Sequence, residues 1–91
     1  MNIKVQVPGV LRPSCGGAAS FELAATSLRD AVEQIEELYP DLNRSIRDET
    51  GSMRRHINLF VNTANSRDLR GLETELAPGD VVTILPAVSG G

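Results

Sequence analysis

Between residues 28 and 39 the side chains Leu28, Ala31, Val32, Ile35, Leu38 and Tyr39 recur at helical spacing, which lines them along one stripe of an amphipathic helix. Such a stripe has to be buried against another layer, and what surrounds it in the chain is strand-like. The helix has defined ends. Thr26 and Ser27 are both suitable N-caps, Asp30 puts a carboxylate in the positive first turn, and Pro40 disfavours the helical conformation at Tyr39. Asp41 to Arg47 adds a short turn around Leu42 and Ile46.

Before this helix, Ile3-Lys4-Val5-Gln6-Val7 alternates apolar and polar as a half-buried strand does, and Pro8-Gly9 interrupts it. The chain is turn-rich as far as Ala19, and a second strand over Ser20 to Leu23 completes a hairpin with an enlarged, irregular loop. After the helix, a polar connector at Asp48-Glu49-Thr50-Gly51-Ser52 and a basic run, Met53-Arg54-Arg55-His56, lead to a third strand. There Ile57, Leu59 and Val61 face one side while Asn58, Phe60 and Asn62 face the other, so Phe60 is an apolar residue on the polar face. Asn62 to Arg70 is polar and turn-like, and Gly71 to Leu76 makes a short helical turn. Ala77-Pro78-Gly79-Asp80 suits a type II turn, with Gly79 supplying the positive φ. The last strand, Val81 to Leu85, ends where Pro86 can no longer donate a ladder hydrogen bond. The expected architecture is α+β, a mixed sheet with one face covered by one main helix.

The chain has 91 residues, enough for one domain that buries about 60 to 65 % of its unfolded surface. There is little room for an internal active-site cavity. With 9 Lys+Arg against 12 Asp+Glu, it has no general attraction for polyanions, and Phe21, Tyr39 and Phe60 offer little for stacking on bases. Nucleic acid is not an expected partner. No apolar run approaches the roughly 20 residues of a membrane span and the start lacks a signal-peptide layout, so a cytoplasmic, membrane-free protein is expected. Cys15 is the only cysteine, which leaves no intrachain disulfide or multi-cysteine zinc site.

The chain closes on Pro86-Ala87-Val88-Ser89-Gly90-Gly91. Glycine has no Cβ, so a Gly-Gly end can pass through a channel too narrow for side chains. Residues 86 to 91 are expected to form a flexible tail on a domain spanning 1 to 85. Gly79-Asp80, Val82, Ile84, Pro86 and Gly90-Gly91 together resemble the closing pattern of the ubiquitin-like sulfur carriers of the ThiS and MoaD type. Gly71-Leu72, Thr74 and Leu76 are similar to that family's approach to its final turn, and Leu11-Arg12-Pro13 is closest to carriers that deliver sulfur for cysteine biosynthesis. Thr63 stands where many members have glycine, and Ser89 where alanine is more usual.

The resemblance implies a β-grasp, or ubiquitin-like, fold with the first and last strands as central parallel neighbours. It also implies a protein substrate with no bound cofactor. A ubiquitin-activating-enzyme-like adenylyltransferase would consume ATP to convert the Gly91 carboxylate into an acyl-adenylate, and a sulfur donor would displace AMP to leave a thiocarboxylate. Val88, Ser89 and Gly90 would thread the tail into the partner. The partner would grip the sheet face away from the helix, where Phe60, Val81, Thr83 and Leu85 are displayed. A cysteine-synthase-like acceptor would take the sulfur. Two alternatives share the tail chemistry: the small subunit of molybdopterin synthase, paired with its large subunit, and a protein modifier joined to lysine through Gly91.

Other reactive residues find no supporting constellation. Cys15 has only Arg12 near in sequence to lower its pKa, which reads as an incidental loop cysteine. His56 lacks converging metal ligands, Ser14 and Ser89 lack a histidine and acid arrangement, and Gly16-Gly17 lacks the phosphate-loop lysine. Asp30, Glu33, Glu36 and Glu37 make a solvated helix face on which Arg29 and Glu33 form an i,i+4 pair. Arg54-Arg55 suits an acidic partner surface better than phosphate.

Overall fold

The alternating segments do form strands, and their pairing puts the chain's last strand at the centre. In the computed structural model, which describes residues 2–86, these are β1 (Ile3–Gln6), β2 (Ser20–Leu23), β3 (Ile57–Val61), β4 (Ala64–Asn65) and β5 (Val81–Pro86). The sheet order is β2-β1-β5-β3-β4, with β1 and β5 parallel and every other pair antiparallel. Lys4 stands opposite Val81 and Gln6 opposite Thr83, while Leu59 stands opposite Ile84. Because side chains alternate, this register sends Val5, Leu59, Val82 and Ile84 to one face together, and all four are buried.

That face is covered by α1 (Leu28–Leu38), whose start is fixed by Ser27: its hydroxyl accepts a hydrogen bond from the Asp30 N–H at 3.1 Å. Leu28, Ala31, Val32 and Ile35 are buried as the stripe requires. Leu38 is not; it is 57 % exposed. At 100° per residue it stands roughly 70° off the stripe's centre, at the margin of the buried face. Tyr39 ends α1 and packs its ring on Phe21, with ring centroids 5.0 Å apart. The expected short turn at Asp41 to Arg47 is a second helix, α2 (Pro40–Ile46), with Pro40 in the first turn and Leu42 and Ile46 fully buried. Burying each large core side chain contributes about 1.5–3 kcal/mol.

Other differences from the sequence reading are local. Val7 lies one residue past β1, although it remains buried and its N–H bonds the Ala19 carbonyl at 2.9 Å. The β1–β2 connection is ordered as a 3-10 helix, Gly9–Cys15, closed by Gly16 at φ 69°. It turns Cys15 inward, so this is a core cysteine rather than an incidental loop residue; its Sγ lies 3.5 Å and 3.4 Å from the Arg12 and Ala18 carbonyls. Arg29 pairs with Glu73 at 2.6 Å instead of with Glu33, tying α1 to the 3-10 turn Gly71–Glu73. The polar stretch after β3 holds β4 and a 3-10 turn, Ser66–Asp68.

Candidate functional site

The features that position β5 begin at its start, opposite the end at Pro86. Asp80 closes the Ala77 to Asp80 turn, where Gly79 has φ 88° and the Asp80 N–H bonds the Ala77 carbonyl at 3.0 Å. Its carboxylate accepts from the Ala77 N–H at 2.8 Å and from Asn62 Nδ2 at 3.1 Å, while Asn62 Oδ1 accepts the Val81 N–H at 3.0 Å. These bonds hold the Asp80 carboxyl below the ordinary carboxylate range, the Ala77 N–H contributing most. Asn62 makes the two-residue β3–β4 turn in the left-handed region, at φ 57°, the one non-glycine residue with positive φ among the described residues. Thr63 beside it therefore needs no glycine. The start of β5 is clamped to the end of β3.

From that clamp β5 runs through the middle of the sheet to Pro86, whose register partner is Ile57. The face that α1 does not cover carries Val81, Thr83 and Leu85 on β5 and Phe60 on β3, together as expected. Phe60 and Thr83 are direct register partners; Leu85 is 41 % exposed, and Phe60, Val81 and Thr83 are half-buried. Sequence reasoning missed Gln6, which joins the same face from β1: Thr83 Oγ1 donates to Gln6 Oε1 at 3.2 Å. Its place was legible in the alternation of β1 once the parallel pairing with β5 was known. Val88, Ser89, Gly90 and Gly91 lie outside the described residues.

Two hollows flank the end of β5, each of about 430 Å³. One, on the open face, is lined by Gln6, Arg12, Thr83 and Leu85, and the other by Val10, Leu11, Arg54, His56 and Pro86. A larger polar recess between the two helices and the Asp48 to Gly51 turn, lined by Glu33, Glu36, Arg47 and Glu49, shares only Arg44 and Arg54 with the tail end. Arg47 in it is buried and satisfied, with Nε on Asn43 Oδ1 at 3.2 Å and Nη2 3.5 Å from Glu36 Oε2. This recess reads as the packed seam of α1 and α2. No group of three or more His, Cys, Asp or Glu residues capable of holding a metal occurs among the described residues, and no described helix is long and apolar enough to cross a membrane.

The arrangement brings β5, the last described strand, to its end beside a partly apolar sheet face. Among the described residues no nucleophile, base and acid converge near the end of β5: Cys15 is buried, and His56 is exposed at the entry to β3.

Comparison with known proteins agrees with this architecture. The ThiS family pattern matches residues 5–91. The chain is 38 % identical over 93 residues to the sulfur carrier protein CysO of Mycobacterium tuberculosis, covering all of both chains. The crystal structure of that CysO superposes with a TM-score of 0.88 over 96 % of this chain and all of the other. A chain of the Amycolatopsis orientalis BexX/CysO complex gives 0.86 at 34 % identity, covering 98 % and 99 % of the two chains. The small archaeal modifier protein 1 of Methanosarcina acetivorans gives 0.85 at 33 % identity, covering 99 % and 96 %. With a mixed five-stranded sheet clasping its helices and a match running from the first strand to the final glycine, this β-grasp chain belongs to the ThiS family.

Proposed function

We infer that this chain is a sulfur carrier for cysteine biosynthesis, acting as a protein co-substrate rather than as a catalyst. The observation that carries the reading is the full-length similarity to CysO, which extends through the Gly90-Gly91 end. A carboxylate resists nucleophiles because its negative charge opposes attack and its oxygen is a poor leaving group. In the proposed cycle, a ubiquitin-activating-enzyme-like adenylyltransferase joins the Gly91 carboxylate to AMP from ATP and releases pyrophosphate. Sulfide from the sulfur donor then attacks the acyl carbon, AMP leaves with the electrons of the C–O bond, and loss of a proton gives the thiocarboxylate. A cysteine-synthase-like acceptor takes that sulfur. ATP is consumed by the partner, and no cofactor is proposed for this chain.

The body's part in this cycle is recognition. Phe60, Val81, Thr83 and Leu85 provide a mixed apolar surface next to the departing tail, and Val88, Ser89 and Gly90 supply a thin thread for the partner's channel. The similarity to a small archaeal modifier protein supports a second reading, in which activated Gly91 is joined to a lysine amine. The small-subunit role in molybdopterin synthase is the third outcome.

Purified protein, ATP, the adenylyltransferase and a sulfide source are the components of the test. Accumulation of a C-terminal thiocarboxylate that the cysteine-synthase-like enzyme consumes supports the proposed role. Protein conjugates that survive denaturation favour modification, and consumption only by a molybdopterin synthase large subunit, in a stable complex, favours the third.

A further inference from the structure

The basic run at residues 54 to 56 has no part in the carrier cycle described above, yet the fold surrounds it with other cations. Since Ile57 pairs with Pro86, the run abuts the end of β5. Arg67 arrives there from the turn after β4: Nε donates to Asn58 Oδ1 at 3.0 Å, and Nη2 reaches the Arg54 and Ile57 carbonyls at 3.0 Å and 2.8 Å. Arg54 is anchored in turn, its Nε donating to the Arg44 carbonyl at 2.7 Å. Across β5, Arg12 lines the hollow that holds Thr83 and Leu85, with its Nε on the Val7 carbonyl at 3.1 Å. Arg12, Arg54 and Arg67 thus flank Pro86 from both sides.

None of the three forms an ion pair within 4.0 Å among the described residues, although Asp48, whose carboxyl the Thr50 hydroxyl holds below its ordinary range, lies close enough to Arg54 for that guanidinium to add to the effect; Arg44, beside them, is paired with Asp41. The opposite end of the sheet carries Asp80 before β5 and Glu75 bridged to Ser27 at the start of α1, with Lys4 opposite Val81 as its cation. In a chain with a net charge of -3, three arginines without an ion pair within 4.0 Å thus gather about the end of β5. Arg12 and Arg54 are each held through Nε alone, and Arg67 through Nε and Nη2, so all three keep further N–H donors for carboxylates at little additional ordering cost. The five residues after Pro86 can reach at most about 18 Å, so a fully threaded Gly91 reacts well beyond these arginines, which would meet only the mouth of the channel.

We propose that Arg12, Arg54 and Arg67 form a basic collar that docks on an acidic rim around the tail channel of the activating enzyme. The proposal rests on the carrier reading and names the chemistry of the surface that reading requires. The collar steers encounter and fixes the angle at which the tail enters, while the apolar face beside it supplies contact area.

The test compares wild-type protein with Arg12→Gln, Arg54→Gln and Arg12→Gln/Arg54→Gln, measuring the initial rate of thiocarboxylate formation by intact mass at limiting carrier concentration. Arg67→Gln is omitted because that side chain also ties two backbone carbonyls. Lysine replacements at the same positions keep the charge, and thermal unfolding checks the fold. At about 20 mM salt the double glutamine variant is expected to lose about tenfold in kcat/KM with kcat unchanged, the lysine variants recovering much of it; the deficit shrinks at about 300 mM. Wild-type conversion that is salt-insensitive and matched by the folded glutamine variants overturns the collar and leaves the carrier reading standing. Absence of wild-type conversion overturns both.

Discussion

Phe60 and Thr83 stand opposite one another in the β3–β5 register, on the sheet face that α1 leaves open, and Thr83 is tied onward to Gln6 across the parallel pair. This places a half-buried aromatic ring over a hydrogen-bonded strand centre, beside the strand that leads into the tail. A ring so placed can contribute to a partner without anchoring the core. Phe60→Ala is expected to cost about 1–2 kcal/mol of stability through lost partial burial, and to lower kcat/KM for activation by about tenfold or more. Urea unfolding and activation kinetics on the same samples separate the two effects. Activation at the wild-type rate would confine Phe60 to packing.

The Asn62–Asp80 clamp carries a pH signature. The Asp80 carboxyl is held low by the Ala77 N–H and then by Asn62. A carboxyl whose folded pKa is depressed stabilises the fold above its unfolded pKa, and that contribution is lost as pH falls through the folded value. Unfolding measured from about pH 7 to about pH 2 should therefore show Asp80→Ala less stable than wild type at neutral pH, with the difference closing in acid. A constant difference across that range would assign the effect of the substitution to packing alone.

Asn62 itself offers a cleaner variant. Asn62→Gly keeps the left-handed conformation available but removes both side-chain bonds to the start of β5, and is expected to cost about 1–2 kcal/mol. Asn62→Ala adds the strain of a Cβ at positive φ and should be less stable still. Equal stabilities for the two would remove the conformational part of this account.

The helix α1 ranks its own residues. Leu28→Ala is expected to cost about 2–5 kcal/mol and Ser27→Ala about 1 kcal/mol, whereas Leu38→Gln should stay within about 0.5 kcal/mol because that side chain faces solvent. A large loss at Leu38 would contradict the placement of the stripe.

That ranking also marks how far the sequence could be read. Alternation identifies β1 and β3, the run of branched and apolar residues before Pro86 identifies β5, and β2 follows as the second arm of the hairpin; the parallel pairing of β1 and β5 came from family resemblance and is what the sheet has. Leu38 falls on the stripe by spacing, yet spacing alone does not tell which residue at the stripe's margin is covered, and this one is exposed. The second helix was reduced to a turn because seven residues give only one i,i+4 apolar pair, Leu42 and Ile46, too little to define a period. Cys15 looked incidental because glycine-rich surroundings conceal an inward-turning 3-10 segment. For the site, Phe60, Val81, Thr83 and Leu85 could be grouped from alternation alone. The grouping of Arg12 with Arg54 and Arg67 could not, since it depends on which strand ends share an edge of the sheet.

In the proposed cycle Gly91 carries the sulfur. The most direct test of this is the intact mass of the untagged protein after incubation with ATP, the adenylyltransferase and a sulfur donor, with fragmentation to locate any change. The account predicts replacement of one oxygen by sulfur at Gly91, dependent on ATP and abolished when Gly91 is deleted from an otherwise folded chain. An unchanged carboxylate in an assay where the same enzyme activates another carrier, or sulfur located on Cys15 instead, would contradict it.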